Sequence, residues 1–274
     1  MQTASCALWR ASGLAASGTT SFAAEVRIQL GGGMMQLNEL RVHIFADGAD
    51  LGGIIEMSRD PLVRGFTTNP TLMRKAGVQD YREFARQVLR AVPDRPVSFE
   101  VFADEFAEMQ EQALEIALWG RNVSVKIPVM NTRAEFAGSV IKTLSGAGVS
   151  VNVTAVMTLD QVDVIVDSLA GEAEAFVSVF AGRIADTGRD PMPIMAEAMK
   201  RLERRPRTRL IWASPREVLN IFQAEAVGCD VITVSNDLLQ KLKIVGKDLE
   251  AYSLETVRMF RDDAVKAGYR IRVA

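Results

Sequence analysis

Histidine is almost missing from this chain: His43 stands alone among 274 residues. Zinc hydrolases, metal-dependent aldolases and Ser-His-Asp enzymes all need imidazole, often in several copies, so these classes fall away and no metal site or cofactor is expected. His43 itself sits in the apolar run VHIFAD, where a satisfied core histidine is the simpler reading than a catalytic one. The two cysteines, Cys6 and Cys229, lie far apart and form no CxxC, which fits a reducing, cytoplasmic compartment with Cys229 in the core. No GxxxxGK[ST] occurs and no GxGxxG follows a strand; residues 31–33 are glycines that precede two methionines without any phosphate-loop context. No stretch approaches the ~18 apolar residues of a membrane span. Charge of one sign is lacking too. Lys and Arg number 32 against 34 Asp and Glu, for a formal net charge of −2 spread along the chain, so a nucleic-acid footprint is not expected. The basic run RRPRTR at 204–209 reads as a solvated loop.

What remains is apolar enough, at 48% hydrophobic residues, for one large core and a single domain. The first 34 residues differ from the rest: they are small and rich in Ser, Ala and Gly, with Arg10 and Arg27 breaking any apolar stretch and no secretory core region. They read either as a disordered tail or as sequence upstream of a natural start at Met34 or Met35, the second being favoured. The folded unit is therefore expected over residues 35–274.

From residue 41 onward a pattern repeats. Short apolar runs at 41–47, 63–68, 96–103, 122–129, 149–156, 175–182, 209–214 and 230–235 alternate with amphipathic segments such as DEFAEMQEQALEIALWG, whose apolar residues recur three and four apart and which end in glycine. Eight βα units point to an α/β fold, a single-domain (β/α)8 TIM barrel. A doubly wound open sheet would want a Gly-rich nucleotide turn after its first strand, and FADGADLGG is a poor one.

The run NVSVKIPVMN puts a lysine inside an otherwise buried strand. Alternation separates Val123 and Val125, facing the helices, from Ser124 and Lys126, facing the interior. The same parity turns Ser98 and Glu100, Asn152 and Thr154, and Ser178 and Phe180 inward. These residues fall near the C-terminal ends of their strands, where barrel enzymes build their sites. A polar filling with a snorkelling lysine explains one such residue easily and four coordinated strands poorly. Desolvation disfavours an ammonium ion, and a neutral amine can attack a carbonyl to form a Schiff base. Without metal ligands to polarise a carbonyl, an iminium is the natural electron sink for carbon–carbon bond chemistry. Asp47 and Glu100 supply two carboxylates for separate proton transfers.

The segments FADGAD, GFTTNPTL, FEVFA, VKIPV, NVTAV, SVFAGRI and WASPR, in that order, resemble the transaldolase family and its relatives the fructose-6-phosphate aldolases, from about residue 41 to the C-terminus. The resemblance implies that Lys126 is the Schiff-base lysine and that Asp47 takes the proton from the substrate hydroxyl during carbon–carbon cleavage. It implies that Glu100 and Thr154 hold the water that relays protons as carbinolamine becomes imine. Thr68, Asn69 and Asn152 would bind the sugar, with Ser178 and Phe180 beside it; Asn69 reads equally as a helix cap before Pro70. Arg183, Ser214 and Arg216 match the family's phosphate site, for which a planar guanidinium fork is suited. The free aldolases carry Gln where Glu100 stands and Tyr where Phe180 stands, so this chain is similar to transaldolase proper. The implied reaction moves a dihydroxyacetone unit from sedoheptulose 7-phosphate or fructose 6-phosphate to an aldose phosphate, as in pentose phosphate metabolism. Compact members form rings, so a homo-oligomer is implied, with SLETVRMFRDDAVKAG as a packing element; that segment could equally cover its own barrel. A sugar-phosphate sensor would have no use for Lys126, Asp47 and Glu100 together, and a deoxyribose-phosphate aldolase lacks the TTNP element.

Overall fold

The computed structural model describes residues 27–30 and 33–273. Two short strands, β1 (Arg27–Leu30) and β2 (Gly33–Gln36), pair antiparallel and stand apart from the main sheet. This hairpin falls across the boundary expected at Met34 or Met35; residues 1–26, Cys6 among them, lie outside the described residues.

Then the alternation begins. β3 (His43–Asp47) leads to α1 (Leu51–Ser58), β4 (Val63–Thr67) to α2 (Pro70–Lys75) and α3 (Tyr81–Ala91), β5 (Val97–Glu100) to α4 (Phe106–Ala117), and β6 (Val123–Pro128) to α5 (Gly138–Gly146). β7 (Val151–Val156) leads to α6 (Leu159–Ser168), β8 (Ala175–Val179) to α7 (Ala181–Asp186) and α8 (Met192–Leu202), β9 (Thr208–Trp212) to α9 (Leu219–Ala226), and β10 (Val231–Ser235) to α10 (Asn236–Lys241) and α11 (Leu249–Lys266). The eight strands β3 to β10 close into a parallel barrel, β10 pairing with β3. The fold is the (β/α)8 barrel that the strand count implies.

Parity governs what each strand buries. Val97, Phe99, Val125, Ile127, Val151, Val153 and Val177 are fully buried in the main core, against the helices. Inside the barrel, Phe45, Phe176, Ile211, Ala213 and Val231 form a separate apolar plug, with the Phe45 and Phe176 rings edge to face at 6.0 Å. Gly65 makes room for it: a Cβ there would come within 2.6 Å of the Phe45 ring. The β5–β7 side of the interior is polar instead, with Ser98, Glu100, Ser124 and Asn152 all buried. Register aligns Glu100 with Lys126, and Lys126 with Asn152.

The loops that follow the strands are pinned by caps. Asp50 accepts from the Gly53 amide, Asn69 from Leu72 and Thr158 from Gln161, each such cap contributing about 1 kcal/mol. His43 opens β3 at the opposite end from Asp47, half-buried, where burial and the Arg209 and Arg64 charges lower its pKa. Cys229 is a free, buried thiol whose pKa burial pushes up to about 12. The run at 204–209 is less free than a solvated loop: Arg204 pairs with Asp167, Arg207 with Glu172, and Arg209 lies within β9.

α11 is unlike every other long helix here. None of its residues is buried, and Val257 and Phe260 are 60% and 64% exposed, so it does not cover its own barrel. No helix among the described residues is long and apolar enough to cross a membrane.

Candidate active site

A cavity of about 510 Å³ opens at the C-terminal ends of the barrel strands, lined by side chains from almost every strand end. Lys126 reaches it from β6 with its side chain 13% exposed. Its Nζ donates to the Thr68 carbonyl and lies 3.3 Å from Oε2 of Glu100. The neighbouring strands impose this pairing, since Glu100 and Lys126 are register partners of equal parity.

Glu100 is 7% exposed. Burial pushes its carboxyl above the usual range; the Lys126 charge and hydrogen bond oppose that, while Asp47 adds to it. The Thr68 hydroxyl lies 3.4 Å from Oε2, farther than from the Ser98 carbonyl at 2.9 Å, so its one proton serves Ser98 better. Oε1 has no hydrogen-bond partner among the described residues and stays available to a donor. The backbone of Glu100 is held from outside the barrel. Tyr81 of α3 accepts from the Glu100 amide at 2.8 Å and donates to its carbonyl at 3.1 Å.

Asp47 ends β3 across the cavity. Thr67 donates to its Oδ1 at 2.8 Å and the Asn69 amide to its Oδ2 at 3.3 Å. Burial raises this carboxyl too, against the lowering effects of Lys126, Thr67 and Asn69. Because Thr67 commits its only proton to Asp47, the Thr233 hydroxyl, in contact with the Thr67 oxygen, is the donor there. Asn69 takes the cap role, its Oδ1 accepting from the Leu72 amide at the start of α2, while its Nδ2 donates to Asp47, a contact that was not expected.

Thr154 lines the cavity just before a break in β7. Its pairing with β8 shifts between Val153 and Val156, and Ala155 adopts a left-handed backbone, φ 62°. Bulges of this kind re-aim side chains beside sites. Ser178 and Phe180 line the cavity as their parity implies, Phe180 against the apolar plug. Arg183 and Ser214 border its far side, with the Arg183 guanidinium 5.6 Å from the Phe180 ring centroid. The two loops touch at Gly182, where a Cβ would meet the Ser214 carbonyl oxygen at 1.5 Å; only glycine permits that approach.

Three residues expected to contact substrate are not in the cavity lining. Thr68 is fully buried and turns its hydroxyl to the Ser98 carbonyl, giving Lys126 only its backbone oxygen. Asn152 lies beneath the cavity, donating to Ser98 Oγ at 3.1 Å and accepting from Ser178 Oγ at 2.7 Å. Arg216 is outside the lining, paired with Asp186. Conversely, Thr67 and Thr233 line the cavity without having been singled out. Their inward parity, shared with Gly65 and Val231, was the available signal. Tyr81 carried none, since it arrives from a helix.

The profile of the family described as Transaldolase/Fructose-6-phosphate aldolase matches residues 44–271. A protein named "Probable transaldolase" from Dehalococcoides mccartyi is 36% identical over 202 residues, covering 73% of this chain and 90% of its own length. Similarly named proteins from Chelativorans sp. and Brucella anthropi are each 35% identical, over 213 and 229 residues; they cover 76% and 83% of this chain and 93% and 98% of their own lengths. A match that starts one residue into β3 and runs past the end of α11 leaves out no element of the barrel, and the chain belongs to the transaldolase/fructose-6-phosphate aldolase family.

Proposed function

We propose that the protein transfers a dihydroxyacetone unit from a ketose phosphate, fructose 6-phosphate or sedoheptulose 7-phosphate, to an aldose phosphate through a Schiff base on Lys126. The observation that carries this reading is the Lys126 amine, largely buried on β6, facing Glu100 and sharing one cavity with Asp47, Arg183 and Ser214. The amine adds to the ketose carbonyl, and the carbinolamine loses water to become an iminium. Glu100, its carboxyl raised by burial, supplies and retrieves the protons for that step with Thr154 holding the water. Asp47 then takes the proton of the hydroxyl on C4, the leaving carbon of the breaking C3–C4 bond, so that this carbon becomes the aldehyde of the departing aldose phosphate. The bonding electrons move into an enamine and the aldose phosphate departs. The enamine carbon attacks the aldehyde of an acceptor, Asp47 returns its proton to the new hydroxyl, and water hydrolyses the iminium to free the amine.

Phe180 favours transfer over free aldol cleavage. No phenol stands there to protonate the enamine, so the three-carbon unit waits for an acceptor. The exposed apolar surface of α11 supports a homo-oligomer in which that helix packs against another copy. A buried free cysteine fits work in the cytoplasm, in the sugar-phosphate exchanges of the pentose phosphate pathway. The test is to supply fructose 6-phosphate with and without erythrose 4-phosphate. Sedoheptulose 7-phosphate is expected to form much faster than free dihydroxyacetone appears; equal release of dihydroxyacetone in both mixtures would turn the reading to an aldolase.

A further inference from the structure

Arg216, in the loop after β9, does not point an open guanidinium at the cavity. Its Nε lies 3.0 Å from Oδ1 of Asp186, the last residue of α7, and Nη2 reaches Oδ2, so the carboxylate occupies the guanidinium fork on two sides. This is the geometry that a phosphate monoester would need from the same arginine. The Arg216 amide is fixed separately, by Asn220 Oδ1 at 2.7 Å, so the side chain can change partners while its backbone stays in place. The Gly182–Ser214 contact holds the α7 segment against this loop, which sets Asp186 near both arginines. The hydrogen bond from Arg216, followed by the charges of Arg216 and Arg183, holds the Asp186 carboxyl below the usual range. Two cations and one anion thus cluster beside the cavity, Arg183 in its lining and the Arg216–Asp186 pair just outside it.

We propose that Asp186 is a specificity-determining residue that competes with the substrate's phosphate for Arg216. A phosphorylated sugar engages Arg183 and Ser214 first and recruits Arg216 by displacing Asp186, while Asp186 retakes the arginine when the product leaves. Both members of the pair are about half exposed, so the exchange is cheap in either direction. A substrate without phosphate has nothing to exchange and is indifferent to Asp186. This inference rests on the reading of the site as one for sugar phosphates.

The experiment compares the full chain with Asp186→Asn and Asp186→Ala at constant ionic strength. KM for fructose 6-phosphate is expected to fall about two- to fivefold in both variants, the scale on which single exposed charges act, with the rate on unphosphorylated fructose unchanged. A KM that rises or stays level in both variants overturns the proposal, a rise meaning that Asp186 braces Arg216. A second readout needs no turnover: the rise in melting temperature on adding inorganic phosphate. A larger rise in the variants than in the parent chain supports competition for the anion site, and an equal or smaller one refutes it. Covalent trapping of Lys126 with fructose 6-phosphate separates the two failures. If trapping occurs but neither readout moves, Asp186 is excluded and the proposed reaction stands.

Discussion

Oε2 of Glu100 sits 3.3 Å from Nζ of Lys126, on adjacent strands and in register, with both side chains largely withdrawn from solvent. The carboxyl is held above its unfolded value, so the folded protein binds a proton there more readily than the unfolded chain does. Its contribution to stability is therefore present below the usual carboxylate range and is lost as pH rises through the raised value. Glu100→Gln removes that dependence while keeping the shape. The melting temperature of the parent chain is expected to decline more steeply from acid to alkaline pH than that of the variant, whose imine formation slows by roughly 10²- to 10⁴-fold. Parallel melting curves across pH would contradict the assignment.

Tyr81 holds the strand end on which Glu100 stands, and burial, then the Glu100 charge, keeps its hydroxyl protonated well above the ordinary tyrosine range. Tyr81→Phe leaves the ring packed against Phe99 and Trp119 but strips a partner from the Glu100 amide. A loss of about 1–3 kcal/mol in urea denaturation is expected, together with a fall in kcat larger than any change in KM. Unchanged stability would mean that the backbone finds another partner.

Phe180→Tyr is expected to move the enzyme from transfer toward free cleavage. The ring lines the cavity shared with Lys126, and a phenol there can protonate the enamine directly or through water, help worth about 10²- to 10⁴-fold at most. The measurement is dihydroxyacetone release without acceptor divided by transfer to erythrose 4-phosphate. An unmoved ratio would reduce Phe180 to cover for the apolar plug.

Removal of residues 1–34 is expected to leave activity and melting temperature nearly unchanged, because the barrel begins at His43 and the leading sequence offers no core pattern. A large loss of either would make that segment part of the folded unit.

Strand parity made most of this site legible in advance. Lys126, Glu100, Thr154, Ser178 and Phe180 face the cavity for the same reason that Val125 and Val177 face the helices. Parity says which way a side chain leaves the strand, not which partner it chooses. Asn152 therefore faces inward as its parity implies yet serves neighbouring polar groups in the structure, while Thr68, expected from the family resemblance alone, turns its hydroxyl to the Ser98 carbonyl. Arg216 is diverted by Asp186, thirty positions away, and Tyr81 reaches Glu100 from α3; neither pairing follows any local period. The exposed surface of α11 was ambiguous because an apolar helix face does not say whose surface it meets.

The most direct test of the Schiff base is to incubate the protein with fructose 6-phosphate, reduce with borohydride, and map the modified residue by mass spectrometry. A three-carbon or six-carbon adduct on Lys126 is expected, abolished in Lys126→Ala while the barrel still folds, since the amine supplies the nucleophile and little packing. An adduct on another lysine such as Lys142, or none at all in an active preparation, would contradict the account.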